Sequence, residues 1–259
     1  VGSGLASIDG VITPETQATI GVTDAGLVRG DGVFEAIRIY DGQPFALEDH
    51  LERMRRSAEG LRLALDIAAL RTEVAAMLEL IEPGDDVLRL LATRGGRRII
   101  LLEAVPQFPE LFALGRVTFA PVRVLDGVKS LSYAANMLAV RIAQERGFDD
   151  ALLVTPHGRV LECSTSSFFA VIDGELRTPP LSEHILDSIT RRVVLAVAEV
   201  GEQPIRVADL DRVQEAFIAS SLREVVGVRR IEDRELPAPG PVTAEVASRV
   251  RERIASGVV

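Results

Sequence analysis

The feature that most limits what this chain can fold into is Pro106-Gln107-Phe108-Pro109. Two prolines in so short a span can continue neither a helix nor a central strand, so the 259 residues divide there into two domains of ordinary size. Before the break, Phe34 to Tyr40 alternates as a strand, Asp41-Gly42 is a hairpin turn, and Gln43 to Ala46 reads as the return strand. Glu48 to Leu61 carries helical periodicity through Leu51, Met54, Ala58 and Leu61, and a second helix runs from Asp66 to Ile81, ending at Pro83-Gly84. Val87 to Thr93 and Ile99 to Val105 pair as strands around Arg94-Gly95-Gly96-Arg97-Arg98. After the break, Arg116 to Val124 is strand-like, and Ser130 to Arg146 is a helix closed by Gly147. Short strands follow at Ala151 to Val154, Val160 to Leu161 and Phe168 to Ile172. A helix at Thr190 to Val200, a strand at Ala216 to Ala219 and a last helix at Val242 to Ala255 complete the reading. No regular βαβ alternation appears, which predicts an α+β fold with domains at 1–108 and 109–259, not a doubly wound sheet. Gly30-Asp31-Gly32 lacks the helix that a dinucleotide fingerprint needs after it.

Charge and composition narrow the function. A net charge of −9 argues against nucleic acid or an anionic membrane as the main partner. No apolar run approaches a membrane span, and Val1-Gly2-Ser3-Gly4 lacks the basic start and apolar stretch of a leader; with Cys163 as the sole cysteine, the expectation is a cytoplasmic protein. Three scattered histidines and one cysteine show no metal-ligand spacing. Of the 29 Lys and Arg residues, Lys129 is the only lysine. A guanidinium stays protonated in proteins, whereas an ε-amine can be neutralised and attack a carbonyl. One amine kept among so many guanidiniums reads either as a lysine that escaped a compositional drift or as a residue kept for carbonyl chemistry.

Five segments place that lysine in a wider pattern. They are Arg29-Gly-Asp-Gly-Val-Phe-Glu35, Asp49-His-Leu-Glu-Arg-Met54, Lys129-Ser-Leu-Ser-Tyr-Ala-Ala-Asn136, Leu161-Glu-Cys-Ser-Thr-Ser-Ser167 and Asp187-Ser-Ile-Thr-Arg191. In this order they resemble the class IV aminotransferases, the fold type IV family of pyridoxal 5′-phosphate (PLP) enzymes, from Gly21 to about Val228. That family includes branched-chain and D-amino-acid aminotransferases and 4-amino-4-deoxychorismate lyase. The resemblance implies a two-domain fold with the cofactor at the domain interface and a homodimer. It makes Lys129 the Schiff-base residue and Glu162 the carboxylate that keeps the pyridine nitrogen protonated. Arg53 matches the family's phosphate arginine, joined by Ile189, Thr190, Ser220 and Ser221. Thr190 reads equally as a plain helix cap, and Ser220-Ser221 as a simple turn. Tyr133 is either the partner of the cofactor's phenolic oxygen or a buried aromatic, and Leu186 either packs on the cofactor ring or belongs to the core. The chain departs from the family at Ser166-Ser167, where members often carry Ser-Asn.

For the substrate, Phe34 falls where relatives line the pocket, Arg29 can read a distal carboxylate, and Arg97 or Arg98 can serve the α-carboxylate unless that loop is only an Arg-rich hairpin tip. The implied activity is amino transfer between an amino acid, with D-amino acids favoured, and a 2-oxo acid. The alternatives are the lyase, which releases pyruvate, a branched-chain L-amino-acid aminotransferase, and a non-catalytic PLP-binding relative.

Overall fold

A computed structural model describes residues 4–257; the leading Val1-Gly2-Ser3 lies outside the described residues, so the expectation of no leader is not addressed there. Contacts along the backbone divide the chain into two units. One is the chain up to Gln107 with Gly127–Tyr133; the other is Phe108–Asp126 with the chain from Ala134 onward. Lys129 therefore belongs to the first unit, whereas the expected division at 108/109 assigned it to the second.

The first unit is built on six strands: β1 (Leu5–Ile8), β2 (Val11–Pro14), β3 (Gly32–Tyr40), β4 (Gln43–Pro44), β5 (Asp86–Thr93) and β6 (Arg98–Ala104), in the order β2-β1-β6-β5-β3-β4. Helices α1 (Ala25–Arg29), α2 (Leu47–Gly60) and α3 (Ile67–Leu78) complete it. The alternation of β3 sends Val33, Ile37 and Ile39 into a core shared with Leu51, Met54, Leu70, Val74, Leu88 and Leu90. Burying each such side chain stabilises the unit by roughly 1.5–3 kcal/mol. Asp66 caps α3 by accepting from the Ala69 amide at 2.9 Å. The return strand β4 is shorter than expected because Pro44 offers no N–H and Ala46 turns left-handed at φ 50°.

Residues 130–133 differ more instructively. They were expected to open a helix, but they lie along β3, with Ser130 bridging Val33 and the Leu131 amide donating to the Gly32 carbonyl at 2.8 Å. Pairing with a strand distant in sequence overrides the local helical pattern. The helix α4 begins only at Ala134 and ends at Glu145.

The second unit holds ten strands: β7 (Phe112–Thr118), β8 (Asp150–Val154), β9 (Arg159–Cys163), β10 (Ser167–Ile172), β11 (Glu175–Thr178), β12 (Gly201–Glu202), β13 (Ile205–Arg206), β14 (Val213–Ser220), β15 (Glu224–Ile231) and β16 (Arg234–Glu235). Helices α5 (Ile189–Val197) and α6 (Pro241–Ala255) accompany α4. At its centre β10, β14, β15, β7 and β8 lie side by side, with parallel pairing between β15 and β7 and between β7 and β8. Phe169 and Phe217 stack at 4.7 Å within the β10–β14 pair. Strand β7 lies earlier than the expected Arg116 to Val124. Its buried residues are Phe112, Ala113, Leu114 and Gly115, while Pro121 interrupts the later stretch and leaves Val122 and Val124 exposed. Among the described residues no helix is long and apolar enough to cross a membrane.

Candidate functional site

In the first unit the candidate residues collect around Lys129. Its backbone is fastened on two sides: its carbonyl accepts from the Phe34 amide at 3.1 Å, and its amide donates to the buried Ser57 hydroxyl at 3.1 Å. The side chain is turned to aromatic faces, with Nζ 4.3 Å from the Phe34 ring centroid and 5.7 Å from that of Tyr133. The two rings meet edge to face at 5.2 Å, a favourable arrangement of their quadrupoles. Three residues singled out from sequence, Lys129, Phe34 and Tyr133, are thus brought together.

Behind them lies a buried ionic group that sequence reasoning missed. Glu35 is fully buried and takes Arg53 in a bidentate pair, Nε to Oε1 at 2.7 Å and Nη2 to Oε2 at 2.6 Å. His50 Nδ1 lies 2.8 Å from Oε2. Burial pushes the Glu35 carboxyl up, but the charge and hydrogen bonds of Arg53, helped by His50, outweigh it and hold the group at about 2. Burial pushes His50 below its ordinary value; Glu35 opposes this, while Arg53 and Lys129 add to it. His50 is therefore neutral at neutral pH, and since an ionised carboxylate only accepts, its Nδ1 carries the hydrogen that bonds Glu35. A signal for this group was present. Glu35 shares the inward register of Val33, Ile37 and Ile39, and a carboxylate there needs a cation.

The substrate arginines fare differently. Arg97 pairs with Asp9 at 2.6 Å and Arg98 with Glu73 at 2.7 Å, so both guanidiniums are engaged by carboxylates of their own unit. Arg29 is exposed in the last turn of α1.

In the second unit, Glu162 stands in β9 with Oε1 accepting from the Leu186 amide at 3.2 Å. The helix α5 is capped by Ser188, whose hydroxyl accepts from the Arg191 amide, so Thr190 is not the cap. Thr190 is buried in the first turn, two residues past the cap, and its Oγ1 lies 3.5 Å from the Ser221 hydroxyl. Ile189 is buried beside it, and Ser220 ends β14. Glu162 with Leu186, and Thr190 with Ser221, are brought together within this unit.

Comparisons with known proteins agree with this chemistry. The family model for amino-transferase class IV matches residues 32–231. A Methanocaldococcus jannaschii protein provisionally named a branched-chain-amino-acid aminotransferase is 34% identical, over 95% of this chain and 93% of its own. The D-alanine aminotransferase of Bacillus licheniformis is 28% identical over 96% of each chain. Among solved structures, a fold IV transaminase from Curtobacterium pusillum superposes with a TM-score of 0.85 at 29% identity, covering 93% of this chain and 92% of that one. A PLP-bound aminotransferase from Mycobacterium tuberculosis, itself described as hypothetical, gives 0.88 at 26% identity, covering 97% and 99%. With its lone lysine framed by two aromatic rings and a family match over most of its length, the chain belongs to the class IV aminotransferases, fold type IV enzymes that use PLP.

Proposed function

We propose that this enzyme moves amino groups between amino acids and 2-oxo acids, preferring D-amino acids, with Lys129 as the residue that links to PLP. The observation that carries the reading is Lys129 itself, the only lysine, fastened by its backbone to β3 and α2 with its amine against Phe34 and Tyr133. The donor set suits PLP: an amine for its aldehyde, a hydroxyl pair at the opening of α5 for its phosphate, and an oriented carboxylate for its ring nitrogen.

When bound, PLP supplies an aldehyde that links to amines and a ring that draws electrons from the substrate carbon. In the proposed roles Lys129 Nζ would hold the aldehyde and, at the same place, would accept the proton from the substrate's α-carbon. Glu162, oriented by the Leu186 amide, keeps the proton on the ring nitrogen. Thr190, Ser221, Ser220 and the first amides of α5 receive the phosphate, together with Arg53, whose fork is set by Glu35. Tyr133 would donate to the phenolic oxygen, Leu186 would pack on the ring, and Phe34 would shape the pocket beside the amine. For a substrate carboxylate we favour Arg29, because Arg97 and Arg98 would first have to leave Asp9 and Glu73.

The preference for D-amino acids rests on the Arg29 to Glu35 segment and the short Thr93 to Arg98 loop, which resemble the D-amino-acid and aminodeoxychorismate branches more than the branched-chain one. We place the protein in the cytoplasm as a homodimer. Exposed Val22, Leu27 and Val28 in the first unit, and exposed Leu138 and Ile142 on α4 in the second, offer apolar surface for a second copy.

Borohydride reduction of the PLP-loaded protein followed by peptide mapping tests the lysine, with the adduct expected in the Lys129 peptide. An adduct confined to the N-terminal amine would refute it. Lys129→Arg keeps the charge and should abolish turnover. A panel of amino acids tests the branch: D-alanine or D-glutamate is expected to convert the bound cofactor to its amine form. Conversion by L-valine, L-leucine and L-isoleucine alone would make the enzyme a branched-chain aminotransferase. Pyruvate release from aminodeoxychorismate alone would make it the lyase.

A further inference from the structure

The second unit carries an arginine whose surroundings differ from those of Arg97 and Arg98. Arg223 lies at the tip of the β14–β15 hairpin, in the turn that follows Ser220 and Ser221. Its Nη1 donates to the Thr165 hydroxyl at 2.7 Å and to the Ser166 hydroxyl at 2.6 Å, which uses both hydrogens of that nitrogen. Thr165 and Ser166 belong to the turn that leaves β9 just after Glu162. That turn is closed by the Cys163 amide on the Ser166 carbonyl at 2.8 Å and tied to α4 by Asn136 on the Ser164 carbonyl at 3.0 Å. The guanidinium also rests on aromatic faces, 4.6 Å from Phe108 and 5.3 Å from Phe112. Its nearest carboxylate is Asp150, 3.9 Å away and buried. Burial pushes the Asp150 carboxyl up, and Arg223 opposes that rise.

We propose that Arg223 is a positioning residue that fixes the turn carrying Ser220 and Ser221 against the turn that follows Glu162. The two turns adjoin where β10 pairs with β14, Ser167 opposite Ala219, and Arg223 adds a side-chain tie beyond that last ladder pair: it belongs to one turn, and both hydroxyls that receive it belong to the other. The hairpin tip needs such a tie. Glu224, which closes it opposite Ser220, sits at φ 56°, a left-handed conformation that a non-glycine residue holds only when its surroundings insist on it. A planar fork is required for the role, because it can donate edge-on to two hydroxyls while lying flat on aromatic rings. An ammonium can also approach a ring face, but without a plane it does not fix the direction of its donors in the same way. The proposal rests on the reading above, in which Glu162 and the serine pair hold opposite parts of PLP, so that the spacing of the two turns sets the fit of the cofactor.

The test uses the full chain in two states. In the cofactor-free protein, amide hydrogen exchange is followed over the segments 163–167 and 219–225. In Arg223→Ala, protection in both segments should fall about tenfold or more while that of β5 in the first unit stays unchanged. Arg223→Lys should recover part of the loss. In the loaded protein, the dissociation constant for PLP should rise on the order of tenfold to a hundredfold, as displaced positioning groups generally cost. Affinity for pyridoxal, which lacks the phosphate, should change much less. A Thr165→Ala/Ser166→Ala double variant removes the partners instead of the arginine and should repeat both results if Arg223→Ala does not fold. Unchanged exchange in both segments would overturn the proposal, as would loosened turns with wild-type affinity for PLP. If the wild-type protein takes up no PLP at all, the cofactor reading falls, and the exchange result alone decides whether Arg223 joins the two turns.

Discussion

Glu35→Gln is the substitution whose consequence follows most directly from the structure. Glu35 is fully buried and holds Arg53 through two bonds of 2.7 and 2.6 Å and His50 through one of 2.8 Å. Its carboxyl lies at about 2 instead of the ordinary 4.5. At 1.36 kcal/mol per pH unit, that gap corresponds to about 3 kcal/mol of stability at neutral pH. The glutamine keeps the volume and one acceptor but leaves a buried guanidinium without its counter-charge, a loss of roughly 3–5 kcal/mol by a separate route. Because the native value is depressed, the unfolded chain takes up the proton first. The contribution is full above about pH 5 and drains away as the pH falls towards 2. The gap between wild type and Glu35→Gln should therefore narrow by about 2 kcal/mol between pH 5 and pH 3.

A clean assay exists because the chain has no tryptophan and only two tyrosines, Tyr40 and Tyr133, both in the first unit. Tyrosine fluorescence during urea unfolding of the cofactor-free protein reports on that unit even if the second unfolds separately. A loss below about 1 kcal/mol at pH 7, or one that does not change between pH 7 and pH 3, would refute the reasoning. Arg53→Met added to Glu35→Gln removes the stranded cation and should restore much of the stability.

Three further outcomes follow from neighbouring features. His50 lies below its ordinary 6.5 through burial, so the unfolded chain protonates first and stability declines as the pH drops below about 6.5; His50→Gln should flatten the unfolding profile between pH 7 and pH 5. Gly32→Ala would bring a Cβ to 2.4 Å from the Ala92 carbonyl oxygen, a backbone atom that cannot step aside, and should cost about 3 kcal/mol in the tyrosine-monitored transition. Glu215 is buried and accepts from the Val242 and Thr243 amides at 3.2 and 2.9 Å and from the Thr243 hydroxyl at 2.9 Å; Glu215→Ala should release the start of α6, costing about 1.5–3 kcal/mol by circular dichroism melting with tyrosine emission unchanged at the same temperature.

Features written into a local period were legible before the structure. The alternation of β3 and the apolar stripe of α2 depend on neighbours a few residues away, and nearly the same residues form those elements, whereas α3 ends at Leu78, short of the expected Ile81. Elements set by distant partners were not. Ser130 to Tyr133 reads as helix because Ala134 and its successors do, yet Val33 and Gly32 hold Ser130 and Leu131 to β3 and keep the helix from starting there. Strand β7 slipped because Val117 to Val124 looks as apolar as Phe112 to Leu114, and only the fold shows that the earlier residues are covered. Strands β1, β2 and β15 escaped notice for a related reason: each is short or broken by glycine or arginine and gains its order from the strands beside it. In the candidate site, residue types were legible and their alliances were not. Sequence pointed to Arg53, but not to the Glu35 and His50 that hold it.

That difference has a physical root in the cation usage of this chain. Where nearly every positive charge is a guanidinium, the presence of an arginine carries little information, and what separates one from another is the chemistry it faces. Arg97 and Arg98 face Asp9 and Glu73, and Arg53 faces Glu35; each lies beside a carboxylate at hydrogen-bonding distance. Arg223 faces two hydroxyls and two aromatic rings, with its nearest carboxylate beyond that distance. A carboxylate pair neutralises charge and can form wherever two long side chains meet at a surface. A fork shared between two hydroxyls on a separate turn, laid on aromatic faces, instead fixes direction and spacing. The same contrast explains Lys129. Its amine lies against the faces of Phe34 and Tyr133, while its backbone is fastened to β3 and α2. The role proposed for this residue, holding a carbonyl and then carrying a proton, calls for a fixed backbone beneath the amine, and β3 and α2 supply it.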